Sequence, residues 1–244
     1  MRVTFLGTGS AMPTGERFQT GLLLEDDGRT LLVDCGSGAL HGLARTDAGY
    51  EGVSSLLLTH HHLDHVADLM PLMKARWLAG EEHLEIVGPQ GTKSLVDGLL
   101  EVHDYMQDRL DLSIREVGPH EFEVAGFDVE GYETRHSMYC LAYRFDDRFT
   151  FSGDSDAFEG LADFAEGSAV LLHDCSFPDD VEVDGHPTPT ELGEALSGRE
   201  IGRVYLTHLY PHTEGNQEGM LESIGEVYDG DVRFAEDGRS VTIR

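Results

Sequence analysis

The residues with the clearest chemistry lie in one stretch, Thr59-His60-His61-His62-Leu63-Asp64-His65. Imidazole nitrogens and carboxylate oxygens suit zinc, and also manganese or iron, in hydrolytic sites that keep a coordination position open for water. His60 and His62 can point into one opening, whereas Asp64 and His65 point differently and can reach a second ion. A solvated histidine-rich loop or a tag remnant is the alternative, but the internal position after an apolar run disfavours both. The stretch therefore predicts a site for two metals.

The elements that must position this stretch are buried strands. The apolar run Val53–Leu58 follows Gly52 and predicts a strand that ends at His60. Five further apolar runs end in Asp or His, at Asp34, His136, Asp154, His173 and His208. Since strand ends that share an edge of a layered α/β fold are a usual place for a site, we expect these side chains to converge.

The remaining pattern predicts two strand-rich halves. Hairpins are expected around Asp26-Asp27-Gly28 and Asp146-Asp147, and helices over Val66–Leu78 and Thr92–Met106. The halves, roughly Met1–Met106 and Leu112–Arg244, suggest two sheets face to face with helices outside. Because no linker or composition shift interrupts the chain, residues 1–244 are predicted to form one domain.

The chain is strongly acidic, with 46 Asp and Glu against 17 Lys and Arg and a net charge of −29. Lys74 and Lys93 are the only lysines. Such a surface is typical of proteins from salt-loving sources, which stay hydrated when salt is high. It removes any basic-patch argument for nucleic-acid binding. It does not exclude an RNA substrate, because the Debye length is only about 3 Å in molar salt.

Cysteine usage and hydropathy exclude other classes. Cys35, Cys140 and Cys175 are odd in number and widely spaced, so neither a disulfide framework nor a thiolate zinc site is indicated, and buried reduced thiols are expected. No apolar stretch approaches the length of a membrane span. The start of the sequence has no signal-peptide pattern, and we expect a cytoplasmic protein.

The order of these residues resembles the metallo-β-lactamase superfamily across essentially the whole chain. The motif His60-x-His62-x-Asp64-His65 is followed by a lone His136, by Gly153-Asp154 and by His208 after an apolar strand. The chain looks most like the ribonuclease Z-like, phosphodiesterase branch, in which a His-x-Thr motif precedes the last histidine, as Gly185-His186-Pro187-Thr188 does here. The resemblance implies an α/β (α+β) fold, a four-layer αββα sandwich.

The resemblance also implies roles for the residues. His60, His62 and His136 would hold one divalent ion, and Asp64, His65 and His208 the other, with Asp154 bridging. The ions would be Zn²⁺, or alternatively Mn²⁺, and a hydroxide between them would be the nucleophile. Asp64 and His186 would be catalytic, His186 by contacting the scissile phosphate or protonating the leaving oxygen. Alternatively, His186 merely precedes a helix that starts near Pro187.

Residues around the predicted ligands have more open roles. Asp34 would orient a ligand histidine, or else cap a turn. His173 and Asp174 lie where relatives carry a supporting pair, and neither is expected to be a ligand. The role of His212 is left open.

Departures from the family pattern shape the functional expectation. The stretch from Met106 to His136 is too short for the protruding arm that clamps tRNA in relatives, and Leu209-Tyr210-Pro211-His212 replaces their Arg-containing segment. A phosphodiesterase for a small or cyclic phosphodiester is therefore the leading prediction.

Three alternatives are weaker. A ribonuclease Z-like tRNA 3′-end endonuclease would need an arm from a dimer partner, and a homodimer is what the resemblance implies. A lactone or thioester hydrolase would share the metal core, but His186-x-Thr188 speaks against it. A non-catalytic metal-binding module is disfavoured because every ligand position is filled.

Overall fold

The strands and helices alternate along a chain whose structure, a computed structural model, describes residues 1–181 and 183–244. The strands are β1 Arg2–Gly7, β2 Gly21–Asp26, β3 Arg29–Val33, β4 Ser55–Leu57, β5 His83–Gly88, β6 Asp111–Glu116, β7 Glu121–Val124, β8 Phe127–Glu133, β9 Leu141–Phe145, β10 Phe149–Phe151, β11 Val170–Asp174, β12 Val204–Thr207, β13 Val232–Phe234 and β14 Ser240–Thr242. The α-helices are α1 Ala39–Leu43, α2 Leu63–Val66, α3 Leu69–Ala79, α4 Thr92–Val102, α5 Glu159–Ala165, α6 Pro189–Leu196 and α7 Gln217–Gly225, and 3₁₀ turns cover Asp104–Met106 and Pro211–Thr213.

The strands form two seven-stranded sheets, in the orders β14-β1-β2-β3-β4-β5-β6 and β13-β12-β11-β10-β9-β8-β7. Their apolar residues alternate between two buried faces. In β2, Leu22 and Leu24 belong to the core between the sheets, whereas Leu23 belongs to the core under the helices. Because both faces of such a strand are covered, its sequence is a continuous apolar run.

Helices cover the outer face of each sheet. Leu72 of α3 and Val96 of α4 pack on the first sheet, and Leu192 of α6 and Ile224 of α7 pack on the second. The predicted four-layer αββα sandwich is therefore confirmed. Within the described part of the chain, none of the helices has the length and apolar composition required to span a bilayer.

Three predicted boundaries are wrong. The first sheet extends to Glu116 and also takes β14, which pairs antiparallel with β1, so the two halves of the sequence are not the two sheets. The helix predicted over Val66–Leu78 begins only at Leu69 and ends at Ala79, because Asp68 precedes it as N-cap and its side chain accepts hydrogen bonds from the backbone of Gly38 and Leu40. The helix predicted over Thr92–Met106 ends at Val102 before a 3₁₀ turn.

Candidate metal centre

The predicted site residues follow strand ends at one edge of the sandwich. His60 and His62 follow β4, and α2 then carries Asp64 and His65. His136, Asp154 and His208 come after β8, β10 and β12 respectively. His208 has a left-handed backbone (φ 59°), unusual for a residue with a side chain, which turns the chain sharply as it leaves the sheet.

These side chains meet in two groups of potential metal ligands. One contains His60, His62, His136 and Asp154, and the other contains Asp64, His65 and His208. The groups correspond to the predicted division of ligands between two ions. In the first, His62 Nδ1 lies 3.1 Å from the Nε2 atoms of both His60 and His136. In the second, His208 Nε2 lies 3.0 Å from Asp64 Oδ2.

Asp154 lies between the two groups, as a bridging ligand must. Its Oδ1 is 3.2 Å from His65 Nε2, and its Oδ2 is 3.3 Å from His208 Nε2 and 3.5 Å from His60 Nε2. Burial alone would raise the pKa of this carboxyl, but the surrounding imidazoles of His208, His65 and His60 hold it well below its usual range. The Asp154 side chain between the two groups is therefore an ionised carboxylate.

The hydrogen bonds behind the imidazoles leave lone pairs facing inward. His65 Nδ1 donates to Asp34 Oδ2 at 2.7 Å, and His208 Nδ1 lies 2.9 Å from Ser176 Oγ, which itself donates to Asp174. In the neutral form of each ring, whose single proton is held outward on Nδ1, Nε2 is an acceptor. Buried acceptors that face each other without protons between them are costly unless a cation lies among them.

His65 Nε2 provides the sharpest test of fit to a metal. This buried nitrogen is not aligned for a hydrogen bond to Asp154 and has no hydrogen-bond partner among residues 1–181 and 183–244. Ligand atoms about 2.0 Å from a tetrahedral ion stand roughly 3.3 Å apart, close to the separations around Asp154. The donor set and its spacing fit divalent ions.

His186 lies beside these groups and is held by a carboxylate from β11. Its Nδ1 is 2.6 Å from Asp174 Oδ2, and its ring stacks on His208 with centroids 5.1 Å apart. Burial lowers the pKa of His186, but the carboxylates of Asp174, Asp154 and Asp64 together outweigh burial and raise the pKa to about 9. His186 could also reach a metal shared with Asp154 and His208. The His186-x-Thr188 motif is therefore part of the site. Helix α6, whose N-cap is Thr188, begins at Pro189 directly after the motif.

Two features go beyond the sequence predictions. Asp174 was expected only as a member of a supporting pair, yet it bonds His186 directly and His208 through Ser176. Phe177 and Tyr210 stack with centroids 4.5 Å apart beside His186. The Asp that follows His173 was the available signal for the first feature, whereas a ring contact between two distant loops has no sequence signal.

Other candidates lie outside the two groups. His173 is buried and bonds the carbonyl of Asp174, and His61 bonds Thr92. All three cysteines are free and buried, as predicted, with Cys140 Sγ 3.7 Å from His60 Nδ1.

Comparisons with known proteins agree with this architecture. The family model described as "Anti-Pycsar protein Apyc1" matches residues 1–237. A Ribonuclease Z of Methanopyrus kandleri is 30% identical, with 98% of this chain and 97% of the relative covered. A Ribonuclease Z of Haloferax volcanii is 26% identical, with 100% and 95% covered, and its alignment runs over 303 positions, so that relative carries segments that this chain lacks. The metallo-β-lactamase fold protein YhfI of Bacillus subtilis superposes with a TM-score of 0.84 at 26% identity, covering 99% of each chain.

Proposed function

This chain belongs to the family described as anti-Pycsar protein Apyc1, within the ribonuclease Z-like metallo-β-lactamase fold proteins, and on that premise we propose a dinuclear metal-dependent phosphodiesterase. The substrate is a small or cyclic phosphodiester. One observation carries the proposal: Asp174 holds His186 beside the ligand groups and favours its protonated form. A proton donor next to a pair of Lewis acids is the combination that phosphodiester cleavage needs.

Each side chain has a definite task in this proposal. His60, His62 and His136 would hold one ion, Asp64, His65 and His208 would hold the other, and Asp154 would contribute to both. Zn²⁺ is the expected metal and Mn²⁺ the alternative. When bound, the ions supply an activated water and neutralise phosphoryl charge. His186 donates its Nε2 proton to the leaving oxygen. Asp174 keeps the ring oriented and favours its protonated form.

The segment between Met106 and His136 bears on the size of the substrate. Residues 111–116, 121–124 and 127–133 of this segment are strands of the two sheets, so they cannot extend outward as an arm. This segment therefore provides no arm that could clamp a large RNA, which suits a small ligand.

A tRNA 3′-end endonuclease is the second candidate, and the Ribonuclease Z relatives that match nearly the full chain favour it. It would need RNA contacts from elsewhere, such as a partner subunit. The homodimer and the cytoplasmic location stay predictions. A lactone or thioester hydrolase is the weakest candidate, since such substrates do not need the proton donor at His186.

The test is hydrolysis of bis(p-nitrophenyl) phosphate by zinc- or manganese-loaded protein in concentrated KCl. We expect turnover that Asp154→Ala abolishes together with most of the bound metal, because the bridging carboxylate belongs to both ions. Asp147→Ala is the matched control, since that side chain is exposed on a distant hairpin. His186→Ala should lower turnover while metal content holds.

Two results would redirect the assignment. Turnover that survives Asp154→Ala would mean that the proposed metal centre does not carry out the hydrolysis. Two bound metals without diester turnover would favour esters and thioesters. Cleavage of a precursor tRNA at a rate comparable to that of small diesters would instead support the nuclease.

A further inference from the structure

The segment after β12 brings a tyrosine to the mouth of the centre. The left-handed turn at His208 lets Leu209 pair with Gly9 in an isolated bridge, with Leu209 N donating to Thr8 O. Tyr210 comes next, and its backbone N donates to Ser176 O. These bonds fix the Tyr210 backbone against both neighbouring loops, one of which carries Ser176 and Phe177.

The ring of Tyr210 is also held in place. It stacks on buried Phe177 at 4.5 Å, and its centroid lies 5.6 Å from that of His208 and 6.0 Å from that of His186. Tyr210 thus stands beside a predicted metal ligand and the proposed proton donor. A rigid ring carries its hydroxyl to one place at little cost in side-chain entropy.

The hydroxyl of Tyr210 has no intramolecular hydrogen bond within residues 1–181 and 183–244, although the side chain is half-buried. The hydroxyl is also not one of the buried polar atoms without a partner, so it is open to solvent and to a ligand. A phenol keeps its proton near neutral pH, so Tyr210 presents a hydrogen-bond donor beside His186 and His208.

We propose that Tyr210 is a further catalytic residue whose hydroxyl donates a hydrogen bond to a non-bridging oxygen of the phosphodiester. The proposal rests on the proposed phosphodiesterase function. The hydroxyl keeps its proton throughout, so the contact stabilises charge on phosphorus-bound oxygen, whereas His186 serves the leaving oxygen.

The two roles predict different responses to the leaving group. Tyr210→Phe keeps the ring and removes only the hydroxyl. We expect it to lower kcat/KM by about 10- to 100-fold, the usual worth of a hydrogen bond to a charged group, by the same factor for bis(p-nitrophenyl) phosphate and diphenyl phosphate. His186→Ala should lose more on diphenyl phosphate, whose leaving group is the stronger base.

A binding measurement makes the test independent of turnover. Calorimetric titration of the zinc-loaded protein with inorganic phosphate should give a weaker affinity for Tyr210→Phe by about 10-fold, at unchanged metal content. Tyr50→Phe is the matched control, because Tyr50 packs under the helices of the first sheet, away from the centre.

The possible outcomes test the Tyr210 contact and the proposed function separately. Equal kcat/KM and equal phosphate affinity in Tyr210→Phe and wild type would overturn the contact. A loss confined to diphenyl phosphate would place the hydroxyl at the leaving oxygen and overturn the assignment to a non-bridging oxygen. Wild-type protein that binds phosphate through Tyr210 but cleaves no diester would refute the proposed function and keep the contact. Wild-type protein with two metals that binds no phosphate would overturn both.

Discussion

At the scale of single residues, Asp34 connects the outward-facing nitrogen of the His65 imidazole to the end of a strand. Its carboxylate accepts from His65 Nδ1 at 2.7 Å and from the backbone and hydroxyl of Thr59 at 2.8 Å. It is buried and has a left-handed backbone (φ 56°). The charge therefore fixes the tautomer of His65 and raises its basicity toward a cation.

Asp34→Asn should isolate that charge, because Asn tolerates a left-handed backbone. The amide replaces one acceptor oxygen by a donor that faces donors, so His65 or Thr59 loses its partner. We expect the affinity for zinc to fall by about 10- to 100-fold, measured by competition with a chromophoric chelator.

Asp27→Asn is the control, since Asp27 is exposed and also left-handed. An unchanged zinc affinity in Asp34→Asn would mean that Asp34 only caps the turn after β3.

At the scale of elements, the end of β3 sets the position of α2. Cys35 N donates to His65 O, and Asp68 N donates to Cys35 O, so this strand end brackets the helix that carries Asp64 and His65. Gly36 lies against the same helix, and a Cβ there would overlap the backbone carbonyl of Asp64. The close approach of strand end and helix therefore requires glycine.

Gly36→Ala should push α2 away from the strand end. We expect a loss of about 1–3 kcal/mol in the free energy of unfolding, together with reduced zinc content, because two ligands move with the helix. Urea unfolding and metal analysis measure the two effects.

Gly98→Ala provides the comparison, since a Cβ there meets no neighbour and alanine favours a helix interior. If Gly36→Ala kept both wild-type stability and wild-type zinc content, the helix would not be positioned by this contact.

The elements that carry the site residues decide how much of the centre could be predicted from the sequence. Apolar runs mark the strand ends, and the family resemblance then selects seven ligands among the residues at and after them, although their metal-binding role stays a prediction. The bond from Asp174 to His186 and the packing of Tyr210 on Phe177 join distant parts of the chain, and nothing in the spacing of residues reports such contacts. The predicted helix start failed because the Asp68 side chain accepts hydrogen bonds from the backbone of Gly38 and Leu40, and α3 begins only after it.

At the scale of the whole molecule, an ion network joins the turns of two hairpins from opposite sheets. Asp26 pairs with the amino group of Met1 at 3.0 Å and with Arg148 at 2.6 Å, and Arg29 bridges Asp26 and Asp146. Hydrogen bonds from the amino group and from Arg148 lower the pKa of Asp26 to about 2. The network therefore favours the packed arrangement of the two sheets when Asp26 is ionised.

The sign of its pH dependence follows from that shift. Since the pKa of Asp26 is lower in the folded protein than in the unfolded chain, its contribution is complete above the unfolded value of about 3.9 and is lost as the pH falls through about 2. Asp26→Asn should cost about 1 kcal/mol at pH 7 after allowance for solvent screening, and the difference should shrink below pH 4. Urea unfolding at pH 7, 4 and 3 measures it. A difference that stays constant over this range, or one that Asp27→Asn reproduces, would contradict the network's role.

The net charge of −29 lowers the stability of the fold, whereas these ion pairs raise it. Repulsion among excess carboxylates destabilises the compact state, and salt screens it; salt also weakens the attractive pairs, but 17 basic residues can pair with only a minority of the 46 acidic ones. We therefore expect the thermal midpoint of the metal-free protein to rise with KCl, by about 2–4 °C for each kcal/mol of repulsion removed. Screening saturates near 1 M, where the Debye length is about 3 Å, whereas strengthening of apolar burial would continue in proportion to salt. A rise concentrated below 1 M KCl would assign the salt response to charge, and a midpoint that falls or stays level there would mean that the acidic surface does not destabilise the fold.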